Sequence, residues 1–404
     1  MKILQVNVVY KVGSTGKITA DLHNELLRKG HQSVVCCSRL KNNDDKNVIN
    51  LCNVQYSRFN VLVNRFSGFL HGGCFISTNK LINNIKKEKP DIVHLQCING
   101  AFVNIHKLLK WLNKNHIKTI CTLHAEFMYT GGCSYTIECD KWKTGCGNCE
   151  RIKTELRSLF FDRTHQAWMR MKKAIEGFAE LTLVPVSQWI GNQVAQSPIY
   201  AGIPQQVIHN GINVECFGKI DSHQAELIKR KYNIPLDKKI VLHVTPNFAF
   251  EEKGGEYFKT LVEMLPEDYF AVVVGNNAPS TDKIIGINFL ENQQELAYFY
   301  SMADVFVITS KNDNYPTVCL EANCCGTAVV GFDVGGVKET IGQGMGDVVP
   351  PFNVEMMCEK VIYWANNKAS IPQKLYNDRV EYCNKKRMAN DYLDLYQRII
   401  KDNI

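Results

Sequence analysis

Residues 301–341 read SMADVFVITSKNDNYPTVCLEANCCGTAVVGFDVGGVKETI. The run Asp304–Thr309 has the length and β-branched content of a buried strand, and a polar loop follows at Ser310–Tyr315. Pro316 suits the first turn of a helix, and Gly326 suits the position just past its end. A second buried strand is expected at Ala328–Phe332, then a turn at Gly335–Gly336. Strand, loop, helix and strand within about thirty residues is the βαβ grammar of a parallel sheet. Glu321 interrupts the apolar helix VCLEANCC, where an ionised carboxylate is costly unless it meets a partner. Asp313 stands eight positions earlier, in the loop at the carboxyl end of the strand, where open α/β sheets bind ligands.

The same grammar extends through the chain. In the first half, strands are expected at Lys2–Asn7, Ser33–Ser38, Asp91–Gln96, Thr119–His124 and Leu181–Ser187. Helices at Lys17–Lys29 and Asn104–Asn113 lie between them, the first with Ile18, Leu22, Leu26 and Leu27 on one face. Residues 42–73 are polar, then aromatic, and read as loop plus helix. Pro198, Gly202, Pro204, Gly211 and Gly218 break the pattern and mark a domain boundary. A second alternating series follows: helix Gln224–Tyr232, strand Lys239–Thr245, helix Gly255–Leu265, strand Phe270–Gly275 and helix Gln293–Met302. Beyond Pro350 the chain reads as helix at Val354–Asn367 and as one long helix from Lys374 to Lys401. The fold class is α/β, with two doubly wound domains. The first spans residues 1–200, with a Cys-rich insertion at 128–150; the second spans 201–372; a helical tail spans 373–404.

Composition sets the class. A chain of 404 residues has room for two domains, and 45% apolar with 22% charged residues is the balance of a soluble globular protein. The net charge of +7 fits anionic partners, either nucleotide phosphates or an anionic membrane surface. The densest basic patches, Lys86–Lys89, Arg170–Lys173 and Lys385–Arg387, carry no interleaved aromatic stripe, so nucleic acid is not an expected partner. The start, MKILQVNVVY, is one short strand without the apolar core of a signal peptide, and no apolar run approaches the ~20 residues of a membrane span. Most of the sixteen cysteines stand singly in apolar strands or helices, which is the pattern of a reduced, cytoplasmic protein.

Five constellations have chemical content. Gly13-Ser14-Thr15-Gly16 lies between a strand and a helix, where glycines let backbone N–H groups approach an anion; the other reading is an ordinary strand–helix turn. It is not the G-x-G-x-x-G of dinucleotide binding. His124 ends a buried strand and either faces a ligand crevice or is a hydrogen-bonded core histidine. Lys253 precedes Gly254-Gly255 at a helix start, which suits a diphosphate, or else it is a surface lysine. Cys133, Cys139, Cys146 and Cys149 fall within seventeen residues and end in C-x2-C, a spacing compatible with a structural zinc. Free packing thiols and a disulfide or cluster are the alternatives, and four thiolates would leave no open position for catalysis. Asp313 and Glu321 fit a general acid/base pair, hydroxyl ligands or solvated charges, and the amides of Thr317 and Val318 would face phosphates at the helix start.

Taken together, these residues resemble family 4 glycosyltransferases of the GT-B fold. Asp313-x7-Glu321 with CCGTAVVGFDVGG and Glu339 is similar to their E-x7-E signature. VIHNGINVECF, residues 207–217, resembles their NGID box, and Lys253-Gly254 their phosphate-binding pair. TGGCSYTIECDKWKTGCGNC resembles enzymes of colanic acid, capsule and O-antigen synthesis. Three positions depart from the pattern: Asp313 replaces the usual Glu, Asn247 stands where an Arg is common, and Ala125 follows His124 where an acid is common.

The resemblance implies two Rossmann-like domains facing a cleft, with the C-terminal helix crossing back to the N-terminal domain. It implies a retaining, metal-independent sugar transfer from a UDP- or GDP-sugar to a glycan acceptor, linked to undecaprenyl diphosphate, at the inner face of the cytoplasmic membrane, and so peripheral membrane contact. His124, Lys253 and Asp313 would be catalytic. Gly13, Gly16, Asn247, Lys253, Pro316, Thr317, Val318 and Glu321 would bind the donor. No cofactor is needed for this chemistry, and zinc would be structural. The rival readings are a nucleotide-sugar epimerase of the same fold and a catalytically idle sugar-nucleotide binder.

Overall fold

Short Val- and Ile-rich runs, closed by glycine, asparagine or proline, form two sheets of six strands each, with every pairing parallel. The computed structural model describes residues 1–40 and 45–401, so Asn42–Asp44, the first residues of the segment read as loop plus helix, lie outside it. The chain divides into two compact units, one of Met1–His209 with the chain from Met388 onward, the other Asn210–Arg387.

The first unit runs β1 (Lys2–Val6), α1 (Gly13–Arg28), β2 (Gln32–Cys37), β3 (Val48–Asn50), α2 (Val54–Ser67), α3 (Phe75–Glu88), β4 (Ile92–Leu95), α4 (Ile105–Lys114), β5 (Thr119–Leu123), α5 (Thr164–Ile175), β6 (Leu181–Pro185) and α6 (Gln188–Ala195). The second runs α7 (Ser222–Lys231), β7 (Lys239–Asn247), α8 (Gly255–Met264), β8 (Tyr269–Asn276), β9 (Ile284–Ile287), α9 (Gln293–Met302), β10 (Val305–Ile308), α10 (Thr317–Cys324), β11 (Ala328–Phe332), β12 (Gly346–Val349), α11 (Val354–Asn366) and α12 (Gln373–Cys383). α13 (Lys385–Lys401) returns to the first unit.

The sheet orders are β3-β2-β1-β4-β5-β6 and β9-β8-β7-β10-β11-β12. Each is the doubly wound order, in which the first strand lies centrally and the winding reverses beside it. The crevice at that reversal lies between β1 and β4 in one unit and between β7 and β10 in the other. In the second unit, Val241, Val273, Val305, Val307 and Val330 pack with Phe258 and Leu261 of α8 and Val361 and Trp364 of α11. Each such side chain taken from water contributes about 1.5–3 kcal/mol.

The last segment differs from the single long helix expected. Asn384 takes an extended conformation between α12 and α13. Ile212 bridges there, its N–H donating to Cys383 O at 2.7 Å and its carbonyl accepting from Lys385 N–H at 2.9 Å. Gly211 permits the approach, because a Cβ there would lie 2.8 Å from Lys385 Cα. α13 then covers the first sheet. Met388, Leu393 and Tyr396 join Ile3, Ile92, Ile120 and Val184. His94 Nδ1 meets Tyr396 Oη at 2.7 Å, and Thr122 Oγ1 meets Tyr392 Oη at 2.8 Å. Among the described residues, no helix is long and apolar enough to cross a membrane.

Candidate active site

The crevice between β7 and β10 is assembled by backbone stitching before any charge is placed. Gly254 has φ +66°, and a Cβ on it would stand only 1.9 Å from Thr309 O, so glycine alone lets the β7–α8 loop lie against the end of β10. Thr309 Oγ1 donates to Lys253 O at 3.1 Å, and Lys311 N–H donates to Glu252 O at 2.9 Å. On the other side, Gly336 N–H donates to Asp313 O at 2.8 Å, and a Cβ on Gly335 would lie 2.2 Å from that same oxygen. Lys253 and Asp313 are thereby brought together: Nζ lies 2.8 Å from Oδ2, with both side chains largely covered. Read apart, these residues were expected to have separate tasks; in the folded unit they form one ion pair.

Asn247, at the end of β7, accepts through Oδ1 from Ala249 N–H at 3.0 Å and from Asn277 Nδ2 at 2.9 Å. Its carbonyl oxygen is thus used in shaping the loop. Pro316 stands one place earlier than expected, as the N-cap of α10 rather than inside the helix. It offers no capping side chain, and the first turn, which begins with Thr317 and Val318, contains no acid, so the positive end of the helix is not neutralised from within. Further along α10, Glu321 is 8% exposed. Its Oε2 accepts from Tyr300 Oη on α9 at 2.9 Å. Burial and this carboxylate together push the Tyr300 phenol well above its ordinary range, so it remains a donor. Tyr300 was not among the residues expected to serve the site; the signal was a tyrosine inside an apolar helix, whose hydroxyl needs a partner once buried.

In the first unit, a row of side chains runs from the carboxyl ends of β5, β4 and β1 to Ser33 near the start of β2. His124 Nε2 lies 3.0 Å from Gln96 Oε1, Gln96 Nε2 donates to Gln5 Oε1 at 2.8 Å, and Gln5 Nε2 lies 3.5 Å from Ser33 Oγ. Because Gln96 presents its oxygen to His124, the imidazole carries its proton on Nε2. Burial holds His124 down at about 4, so the ring is neutral near pH 7. Gln5 and Gln96 also went unread, though each interrupts an apolar run. Gly13–Gly16 is not a loop but the first turn of α1. Gly13 has φ +64°, and Gly16 O accepts from Lys11 N–H at 3.0 Å, which folds the preceding loop over the helix start.

The Cys-rich insertion has an aromatic core of its own. Trp142 is buried edge-on against Tyr129, with centroids 4.9 Å apart, and its carbonyl accepts from Trp168 Nε1 at 2.9 Å. Buried Glu126 accepts from Tyr129 Oη at 2.9 Å and from Thr136 N–H at 3.0 Å. Cys133 and Cys149 share a thiol hydrogen bond that raises the first and lowers the second, and Cys146 Sγ accepts from Gly131 N–H at 3.2 Å. Cys133, Cys139, Cys146 and Cys149 do not form a metal-binding set: among the described residues, no three of His, Cys, Asp and Glu are gathered so as to hold a metal ion. All sixteen cysteines are free thiols.

Two units of this winding are the architecture of the GT-B fold, and the second presents a lysine, a carboxylate and a helix start at its crevice. The model of glycosyl transferases group 1 matches residues 224–386, and that of glycosyltransferase family 4 matches residues 15–215. The chain belongs to this family. A protein of Escherichia coli (strain K12) named as a colanic acid biosynthesis glycosyl transferase is 22% identical over 425 aligned positions, covering 99% of this chain and 100% of that one. The N,N'-diacetylbacillosaminyl-diphospho-undecaprenol alpha-1,3-N-acetylgalactosaminyltransferase of Campylobacter jejuni is 24% identical, over 48% of this chain and 54% of its own. The fold is shared with HepE of Anabaena, solved in complex with UDP and glucose, at a TM-score of 0.66 and 14% identity, covering 98% of this chain and 99% of that one.

Proposed function

We propose that the protein transfers a sugar, with retention at the anomeric carbon, from a nucleoside diphosphate sugar to a glycan acceptor in the synthesis of a surface polysaccharide. The observation that carries this is the Lys253–Asp313 ion pair, formed by the loops that follow β7 and β10, with α10, which carries Glu321, starting four residues after Asp313. Glu321, oriented by Tyr300, accepts hydrogen bonds from the ribose hydroxyls. Lys253 and the amides of Thr317 and Val318 stabilise the diphosphate as it leaves, which is where negative charge grows in the transition state. This positive charge is the protein's own, so the reading assigns no step to a metal. Asp313 exchanges its contact with Lys253 for a hydroxyl of the transferred sugar when the donor enters. Neutral His124, in the first unit, is suited to hydrogen bonding with a sugar rather than to holding a charge.

The donor is a UDP- or GDP-sugar, and UDP is favoured by the structural relative solved with it. The acceptor is a lipid-linked oligosaccharide, the class named for the Campylobacter relative. Thermal-shift titration with UDP-, GDP- and ADP-sugars tests the donor site. One class should raise Tm, since a ligand bound only by the folded state stabilises it, and Glu321→Ala should lose most of that rise. Indifference to all three would overturn the reading. A new sugar isomer formed from donor alone would assign the protein to epimerisation instead.

A further inference from the structure

α2 is built inside out. Its side chains buried against the unit are Ser57 and Asn60, both polar. Phe59, Leu62 and Phe66 are 64%, 50% and 49% exposed, and at i, i+3 and i+7 they form a single outward stripe. The orientation is fixed by hydrogen bonds. Asn60 Oδ1 accepts from Cys74 N–H at 3.0 Å, Asn53 caps the helix through Tyr56 N–H at 2.9 Å, and Arg65 O accepts from Leu159 N–H at 2.8 Å. A second segment extends the patch. Phe160 lies 5.9 Å from Phe66 between ring centroids, and Phe161 lies 6.4 Å from Phe160. Both are more than half exposed. Contiguous apolar surface of this kind on a folded protein marks an interaction site.

Charge selects the occupant. Arg58 and Arg65, seven residues apart, line one edge of the stripe, and α2 contains no acid. Residues 157–170 add Arg157, Arg163 and Arg170, with Arg163 over the Phe69 ring at 4.0 Å and Arg170 over it at 4.5 Å. The one acid of that segment, Asp162, is turned to the backbone N–H groups of Cys149 and Thr164. Apolar rings bordered by guanidinium groups match the interface of an anionic bilayer, where rings enter the acyl boundary and cations pair with headgroup phosphates.

We propose that the exposed face of α2, with Phe160 and Phe161, docks the protein onto an anionic lipid surface. This surface lies in the first unit and is independent of the donor site, so it stands whether or not the proposed transfer is right. Flotation with vesicles of phosphatidylcholine alone and of phosphatidylcholine mixed with phosphatidylglycerol tests it. The protein should float with the mixed vesicles, and less so as salt rises. F59S/L62S/F66S should lower that partitioning by about tenfold or more, with an unchanged far-UV spectrum. R58E/R65E should lower it by at least about tenfold on the mixed vesicles. Wild-type protein that stays with neither vesicle, or a serine variant that floats as well as wild type, would overturn the proposal. So would a wild-type dimer in analytical ultracentrifugation that the serine variant dissolves without any vesicle binding, which would assign the face to a second copy of the chain.

Discussion

Glu321 is stable inside an apolar helix because Tyr300 reaches it from the neighbouring one. A carboxylate has room for several donors, so this bond orients the group without saturating it. Removing the carboxylate in Glu321→Ala should weaken nucleotide affinity by roughly 10–100-fold, the value of a hydrogen bond to a charged group, as read by calorimetric titration. Tyr300→Phe should retain the ring packing and lose the orienting bond, giving a smaller loss in the same measurement. At Gly254 the stake is folding. A methyl group there would lie 1.9 Å from Thr309 O, in a backbone conformation at φ +66° that disfavours side chains. Gly254→Ala should cost more than the ~1–3 kcal/mol of the strained backbone alone, measured by urea denaturation. These residues also show what a sequence reveals. A polar side chain breaking an apolar run singled out Glu321 and His124, and each has a hydrogen-bond partner in the fold. The same signal stood at Gln5, Gln96 and Tyr300, where its partners were remote in the chain and so invisible.

At the scale of elements, β10, α10 and β11 were legible because apolar runs and glycine boundaries are local properties. α9 and β11 fall where periodicity put them. The break at Asn384 was not legible. Nothing local stops that helix; the stop is imposed by Ile212, which takes the hydrogen bonds on both sides of it. α2 was obscured for another reason, since hydrophobic periodicity locates an apolar face without saying whether a core or a membrane covers it. The insertion is irregular backbone, and its aromatic core has no period to read. Trp142 is central to that core, so Trp142→Ala should destabilise the first unit by about 3–5 kcal/mol. Thermal unfolding should show this as a lowered or split transition.

For the whole molecule, five histidines held below the ordinary imidazole range shape the response to acid. Burial holds His71 and His94 at about 3, and His106, His124 and His243 at about 4. The unfolded chain takes up protons near 6.5 and the folded chain only near 3 to 4, so protons bind the unfolded state first. Their contribution to stability is complete above about pH 6.5 and is lost as pH falls toward 4. Tm at pH 5 should lie at least about 5 °C below that at pH 7.5; equal values would remove these groups from the account.

The return of α13 to the first unit has a consequence for biosynthesis. His94 and Thr122 meet Tyr396 and Tyr392, and Ile3, Ile92 and Ile120 are covered by residues from Met388 onward. On the ribosome, therefore, the first unit to be translated is the last to be finished. Its sheet waits, with one face covered by α1 but not yet by α13, while residues 210–387 are made and can close around their own core. A chain truncated after His209 should accordingly aggregate on expression, and a peptide spanning residues 385–401 supplied in trans should recover soluble protein. Nascent chains halted short of Met388 would be the stage at which a chaperone is needed.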